Sequence, residues 1–130
     1  MAIVKQLSVK VDDKPGALAE ICTELAKVAV NISAIMISKT PRGEAPLHII
    51  VNNLDTAKKV LDSLRIGYTE EQVLAVHLKD RPGALGRITR KLAEKGIDLR
   101  YAYGSIEKNS DRALMILSVS DLTRAAEILK

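Results

Sequence analysis

Apolar residues return at every second position where the chain begins. In QLSVKV (6–11), Leu7, Val9 and Val11 share one side and polar groups the other, the period of a half-buried strand. From residue 18 the period lengthens: Leu18, Ile21, Cys22, Leu25 and Val28 fall on one face of a helix. NISAIMIS (31–38) reads as a strand, KTPRGEAP (39–46) as a polar turn, LHIIV (47–51) as a short apolar strand and TAKKVLDSL (56–64) as a second helix. A further strand follows at GYTEEQV (67–73). Then the series starts again. LAVHL (74–78) alternates, and Leu85, Ile88, Leu92 and the aliphatic stem of Lys95 share a helical face. DLRYAYGSI (98–106), a turn at EKNSDR (107–112), ALMILSV (113–119) and a helix at LTRAAEIL (122–129) complete it. Alternation sets Tyr101 and Tyr103 on one face of their strand, either packed against the helices or lining a pocket.

An offset of 67 residues lays the two series over each other. Asp13/Asp80, Pro15/Pro82, Gly16/Gly83, Ala17/Ala84, Leu18/Leu85, Ile21/Ile88, Leu25/Leu92 and Ala26/Ala93 coincide without a gap, so the chain is an internal duplication. The order β-α-β-β-α, with a last strand in the first copy, predicts an α+β fold. It consists of two ferredoxin-like βαββαβ modules, each an antiparallel sheet with both helices on one face. The modules are expected at 1–73 and 74–130. GYTEEQVLAVHL must close the first and open the second with almost no linker. The second module stops after its second helix, so its sheet lacks a last strand, and that edge must be covered or left exposed. With so small a core in each half, completion of the sheets between two chains, as a homodimer, is expected.

The best-kept part of the repeat is DKPGAL (13–18) and DRPGAL (80–85), at the turn from first strand to first helix. Lys14, before proline, is driven toward extended backbone. Pro15 suits the first helical position. Gly16 removes a Cβ where something could approach the main chain. The N–H groups of Gly16, Ala17 and Leu18 lie at the positive end of the helix, a place that attracts a carboxylate or phosphate. Alternatively Asp13 folds back and caps them. Spacing alone leaves both open. At the other end of the helix, Ala29 stands where the second copy has Gly96, the residue suited to a left-handed helix exit, so the first copy is expected to leave its helix differently.

Composition narrows the function. Hydrophobic residues make up 47% of 130, enough for a real core, and the aromatics are three tyrosines only. A single cysteine, Cys22, excludes an internal disulfide and a Cys-rich zinc site. It lies on the apolar helix face, where a buried inert thiol is expected. His48 and His77 have neither metal-ligand spacing nor a third partner, and no phosphate-loop motif is present, so no enzyme, metal or cofactor is expected. MAIVKQLSVKV is a strand pattern and no run reaches membrane-spanning length, which points to a cytoplasmic protein without membrane contact. The net charge of +4 comes entirely from residues 75–130, which hold eleven Lys/Arg against seven Asp/Glu. Arg87, Arg90, Lys91 and Lys95 sit on the outer face of one helix, a solvated surface or one for an acidic partner. RNA-recognition motifs share the strand order but stack bases on aromatics of the central strands. QLSVKV, LHIIV, LAVHL and ALMILSV contain none, so no nucleic-acid partner is expected.

D-x-P-G-x-L at a strand-to-helix turn, followed after the helix by AVNI (29–32) or GIDL (96–99), resembles the ACT domain, a family of small regulatory modules with the βαββαβ fold. The resemblance covers essentially the whole chain in two copies. It is closer to stand-alone tandem ACT proteins, in which an INI-type segment precedes an IDLRYAY-type one, and which resemble amino-acid sensors without an attached enzyme. Some such relatives accompany acyl-CoA ligases, which implies a metabolic enzyme of that kind as a partner. The resemblance further implies a free amino acid bound where two domains meet edge to edge. The residues it assigns are Asp13, Pro15, Gly16, Ala17, Leu18, Asn31 and Ile32 in the first copy, and Asp80, Pro82, Gly83, Ala84, Leu85 and Asp98 in the second. Main-chain N–H groups would take the α-carboxylate, and Asp13 or Asn31 would accept from the α-ammonium. Asp98 in place of Asn disfavours a ligand carboxylate, so the two sites are expected to differ. A ligand-free module that binds a metabolic enzyme is the alternative.

Overall fold

A computed structural model of the chain describes residues 2–106 and 111–130. The element order is β1 (Ala2–Val11), α1 (Ala17–Lys27), β2 (Ile32–Ile37), β3 (Ala45–Val51), α2 (Leu54–Ser63), β4 (Tyr68–Lys79), α3 (Ala84–Glu94), β5 (Leu99–Ile106), β6 (Arg112–Val119) and α4 (Leu122–Ile128). The turn expected at 107–112 lies largely outside the described residues. The chain divides into two compact units, Lys5–Glu71 and a second formed by Gln72–Lys130 together with the residues before Lys5.

In the first unit the strands lie in the order β2-β3-β1-β4, the last represented by Tyr68–Glu71. β3 pairs antiparallel with both neighbours, Leu47 facing Val9 on one side and Ile37 on the other. Leu7, Val9, Leu47 and Ile49 form one sheet face and meet Ile21 and Leu25 of α1 and Ala57 and Leu61 of α2. Six of these eight are fully buried and two are 1% exposed, so truncating any of the leucines to alanine removes about 2–5 kcal/mol.

The second unit repeats this plan as β5-β6-β4-β1. Leu74, Val76, Leu117 and Val119 cover Leu92 of α3 and Ala125 of α4. Residues 2–4 of β1 belong here, on the open side of β4, where the last strand of a βαββαβ module stands. Part of the edge that the sequence leaves unfilled after α4 is therefore covered from within the chain, by residues 2–4 beside β4. The exposed edges are β2 in one unit and β5 in the other.

Three local expectations are corrected. Pro15 is not the first helical residue: α1 begins at Ala17, its N-cap is Gly16, and Pro15 lies in the preceding turn. Val28 and Lys95 do not join the apolar faces of their helices; both are exposed C-caps, one residue past the last turn. Ala29 does not give its helix a different exit. Its φ of 57° matches the 68° of Gly96, and the hydrogen bonds are the same in both copies. Val30 N–H donates to Leu25 O and Ala29 N–H to Ala26 O; Ile97 N–H donates to Leu92 O and Gly96 N–H to Ala93 O. This is the Schellman arrangement, and it turns Val30 back onto Leu25 within the core. Holding a Cβ in the left-handed region costs about 1 kcal/mol, less than exposing a buried valine.

Tyr101 and Tyr103 do share a face, opposite Ser118 and Ile116. That face is the one turned away from the helices, because Met115, Leu117 and Val119 alternate onto the helical side. Packing against the helices is excluded for both rings.

Candidate functional site

The four helices start in two different ways. α2 and α4 are capped by side chains: Asn53 Oδ1 accepts from Thr56 N–H and Asp121 Oδ1 from Arg124 N–H, both at 3.1 Å. α1 and α3, which follow the repeated hexapeptide, have no side-chain cap. Their N-cap glycines are left-handed, with φ of 89° at Gly16 and 86° at Gly83. A Cβ at either position would meet nothing within 4 Å, so glycine is required there by the backbone conformation and not by crowding. Ala17 N–H reaches back to Lys14 O at 3.4 Å, whereas the N–H groups of Leu18 and Ala19 have no acceptor among the described residues.

Asp13 does not cap them. Its Oδ1 lies 2.7 Å from Nζ of Lys39, which reaches across from the chain after β2. Both residues line a cleft of about 360 Å³. Its lining also includes Val11, Pro15, Ala17, Leu18, Ile37 and Ala45, together with the charged Asp12 and Lys14. One concave surface thus offers two carboxylates, two ammonium groups, open main-chain donors and an apolar wall. The Asp13–Lys39 pair is solvent-exposed and contributes little to stability, so both members are available to an incoming charged molecule at small cost.

Of the expected residues, Asp13, Pro15, Ala17 and Leu18 line this cleft, and Gly16, the N-cap of α1, is not in its lining. Asn31 and Ile32 are not brought to it within the unit. They open β2 beside Val51 and Asn52, where Asn31 N–H donates to Asn52 Oδ1 at 2.9 Å. The cleft adjoins Ile37 at the opposite end of that strand, roughly 17 Å away at about 3.3 Å per residue. The second copy behaves likewise. Asp80, Pro82, Gly83, Ala84 and Leu85 form the turn before α3 and the start of that helix, and Asp80 N–H is held by Asp111 O at 2.5 Å. Asp98 lies at the far end, its N–H bonded to Ser120 Oγ at 3.0 Å. Lys39 has no counterpart at the equivalent position, which is Ile106. Beyond Val11, Asp12 and Lys14, which adjoin the turn in sequence, the residues the sequence reading missed are Ile37, Lys39 and Ala45. Only the strand register, with Ile37 against Leu47 and Ala45 against Val11, carries them to the turn.

A separate polar group lies on the face of this sheet away from the helices. His48 is 8% exposed, its Nδ1 3.3 Å from Nε2 of the fully buried Gln6, which also donates to Glu71 Oε2 at 3.5 Å. Burial lowers the His48 pKa from the usual 6.5, against an opposing pull from the Glu71 carboxylate. The folded state therefore prefers neutral imidazole, while the unfolded chain takes up a proton near pH 6.5. Stability is fully present above that pH and falls as pH drops through 6.5 toward the lower folded value. The urea midpoint should decline from pH 7 to about pH 5, and His48→Asn should flatten that segment. A midpoint that rose on acidification would show His48 charged in the fold.

Among the described residues no group of three or more His, Cys, Asp or Glu is placed to hold a metal ion, and Cys22 is half-buried on α1. No described helix is long and apolar enough to cross a membrane.

Comparison with known proteins places this architecture. A protein of Bacteroides thetaiotaomicron, BT0572, matches with a TM-score of 0.90 at 28% identity, over 98% of this chain and 86% of that one. The ligand-free regulatory subunit of aspartate kinase from Thermus thermophilus matches with a TM-score of 0.69 at 15% identity, over 98% and 87%. The corresponding subunit from Thermus flavus gives 0.65 at 14%, over the same shares. At such identities the two kinase subunits bear on the fold alone. No curated protein sequence matches. The family model described as an ACT domain pair matches residues 1–130, in agreement with the duplicated βαββ core and the paired hexapeptide turns, and the chain belongs to that family.

Proposed function

We propose that the protein is a regulatory module that binds a free amino acid in the cleft of the first unit and signals through altered contacts between chains. The observation that carries this reading is the cleft itself. Uncapped N–H groups at the start of α1 and the Lys39 ammonium suit an α-carboxylate, and Asp12 and Asp13 suit an α-ammonium. The apolar wall of Val11, Leu18 and Ile37 suits an aliphatic side chain. Asn31 completes the site only if a second chain supplies it, since within one unit it stands at the wrong end of β2. Edge strand β2, with Ile35 45% and Ile37 42% exposed, is the surface through which two chains would meet. The working state is then a homodimer in the cytoplasm, and a metabolic enzyme reads its ligand-dependent surface.

Sedimentation velocity with and without a panel of free amino acids tests this. One class of amino acid should tighten self-association and raise the thermal midpoint together, because a ligand shared between chains stabilises the dimer by mass action. A panel without effect on either quantity overturns the reading in favour of a ligand-free interaction module.

A further inference from the structure

The two halves of the chain have diverged in charge at one place. Along the offset of 67, Lys10 corresponds to His77, Asp12 to Lys79, Lys14 to Arg81, Glu20 to Arg87 and Glu24 to Lys91. Three carboxylates have become cations, Lys14 has remained basic as Arg81, and Lys10 is replaced by His77. In the second unit these positions are gathered together. His77, Lys79, Arg81, Arg87 and Lys91 surround a cleft of about 210 Å³ between the end of β4 and the first turns of α3, floored by Leu78, Ala84 and Ile88. None of the five forms an ion pair among the described residues; the ion pairs found there all join residues of the first unit. Converging cations without counter-charges repel one another, and the repulsion is relieved only by an anion or by solvent.

We infer that this cleft binds a phosphate-bearing small molecule. Arg81 and Arg87 offer planar forks that match phosphate oxygens two at a time, and Lys79 and Lys91 add compact positive charge. A zwitterionic amino acid fits poorly, because its ammonium would lie among cations; of the two carboxylates that would receive it in the first repeat, Asp12 is replaced by Lys79, and Asp80, the counterpart of Asp13, does not line this cleft. The small volume and the half-buried apolar floor suit one phosphorylated group with a small body, not a polymer. Asp80 is the nearest acid in sequence, and it stands in the exposed turn with its N–H bonded to Asp111 O. The site is independent of the amino-acid cleft, so either reading can fail alone.

The test uses the full-length protein and inorganic pyrophosphate as the probe, by calorimetry and amide chemical-shift mapping in 150 mM potassium chloride. Saturable binding of one pyrophosphate per chain is expected, with the largest shifts at Ala84, Arg87 and Ile88. Arg87→Glu should lower the affinity at least tenfold. Arg90→Glu removes the same charge one turn-face away, outside the cleft, and should change it less than twofold. Both residues are exposed, so each variant should fold, which circular dichroism would check. Equal losses in the two variants would overturn the site in favour of a diffuse basic surface. Affinity for single-stranded oligonucleotides that rises with length and exceeds that for pyrophosphate would overturn it in favour of a nucleic-acid surface. Absence of saturation would also overturn it.

Discussion

Gly104→Val is expected to destabilise the protein by about 3 kcal/mol, at the upper end of what overpacking usually costs, and to lower the thermal midpoint by roughly 10 °C. Gly104 lies opposite Met115 in the β5–β6 pair. A Cβ there would fall onto Met115 Sδ and come within 2.8 Å of the Leu114 carbonyl oxygen. The thioether can swing aside, but the carbonyl belongs to the ladder and cannot. Met115→Ala in the Gly104→Val background should therefore recover only part of the loss. Urea unfolding with an unchanged m-value is the measurement. An unaltered midpoint would mean that β5 and β6 do not meet in this register.

Gly16→Val is expected to abolish amino-acid binding and cost about 2 kcal/mol of stability, the strain of forcing a β-branched residue to positive φ. The space around Gly16 is open, so the cost is torsional. Relaxation of the turn would then displace Ala17 and Leu18, which line the cleft. Gly83→Val provides the internal control. Its φ of 86° is nearly that of Gly16, so the stability loss should be equal. Binding in the first-unit cleft should survive it. Calorimetry on both variants separates the two effects. If Gly16→Val bound amino acids like the parent, the turn would be structural only.

The fate of the individual expectations follows from the range of the forces involved. The repeat, the strand and helix periods and the helix-opening turns were legible because each is written in residues a few positions apart. Asp13 as a helix cap was equally plausible at that range. It failed because Lys39, 26 residues later, competes for the same carboxylate. The missing last strand of the second module could not be resolved from the sequence, since the covering residues lie some 70 positions away at the start of β1. Asn31 was assigned to the site by resemblance, and the register of β2 on β3 shows how far from the turn it stands in its own unit.

What the sequence by itself determined is therefore the local grammar: a duplicated β-α-β-β-α pattern, a glycine in each repeated helix-opening turn, and a net positive charge confined to the second copy. The tertiary structure decided the rest. It selected which distant side chains join the first turn, Lys39, Ile37 and Ala45, and it set the sequence-near His77 and Lys79 beside α3 in the second unit. It also overrode local preference at Ala29. There the burial of Val30 against Leu25 outweighs a backbone penalty that a sequence shows and a core repays. Propensity acts over neighbouring residues and amounts to about 1 kcal/mol or less at most positions. Core burial and strand register act between residues tens of positions apart and are several-fold larger at each site. The first-unit cleft is made from residues that such long-range contacts assemble, whereas the second-unit cleft is lined by residues of one stretch, 77–91.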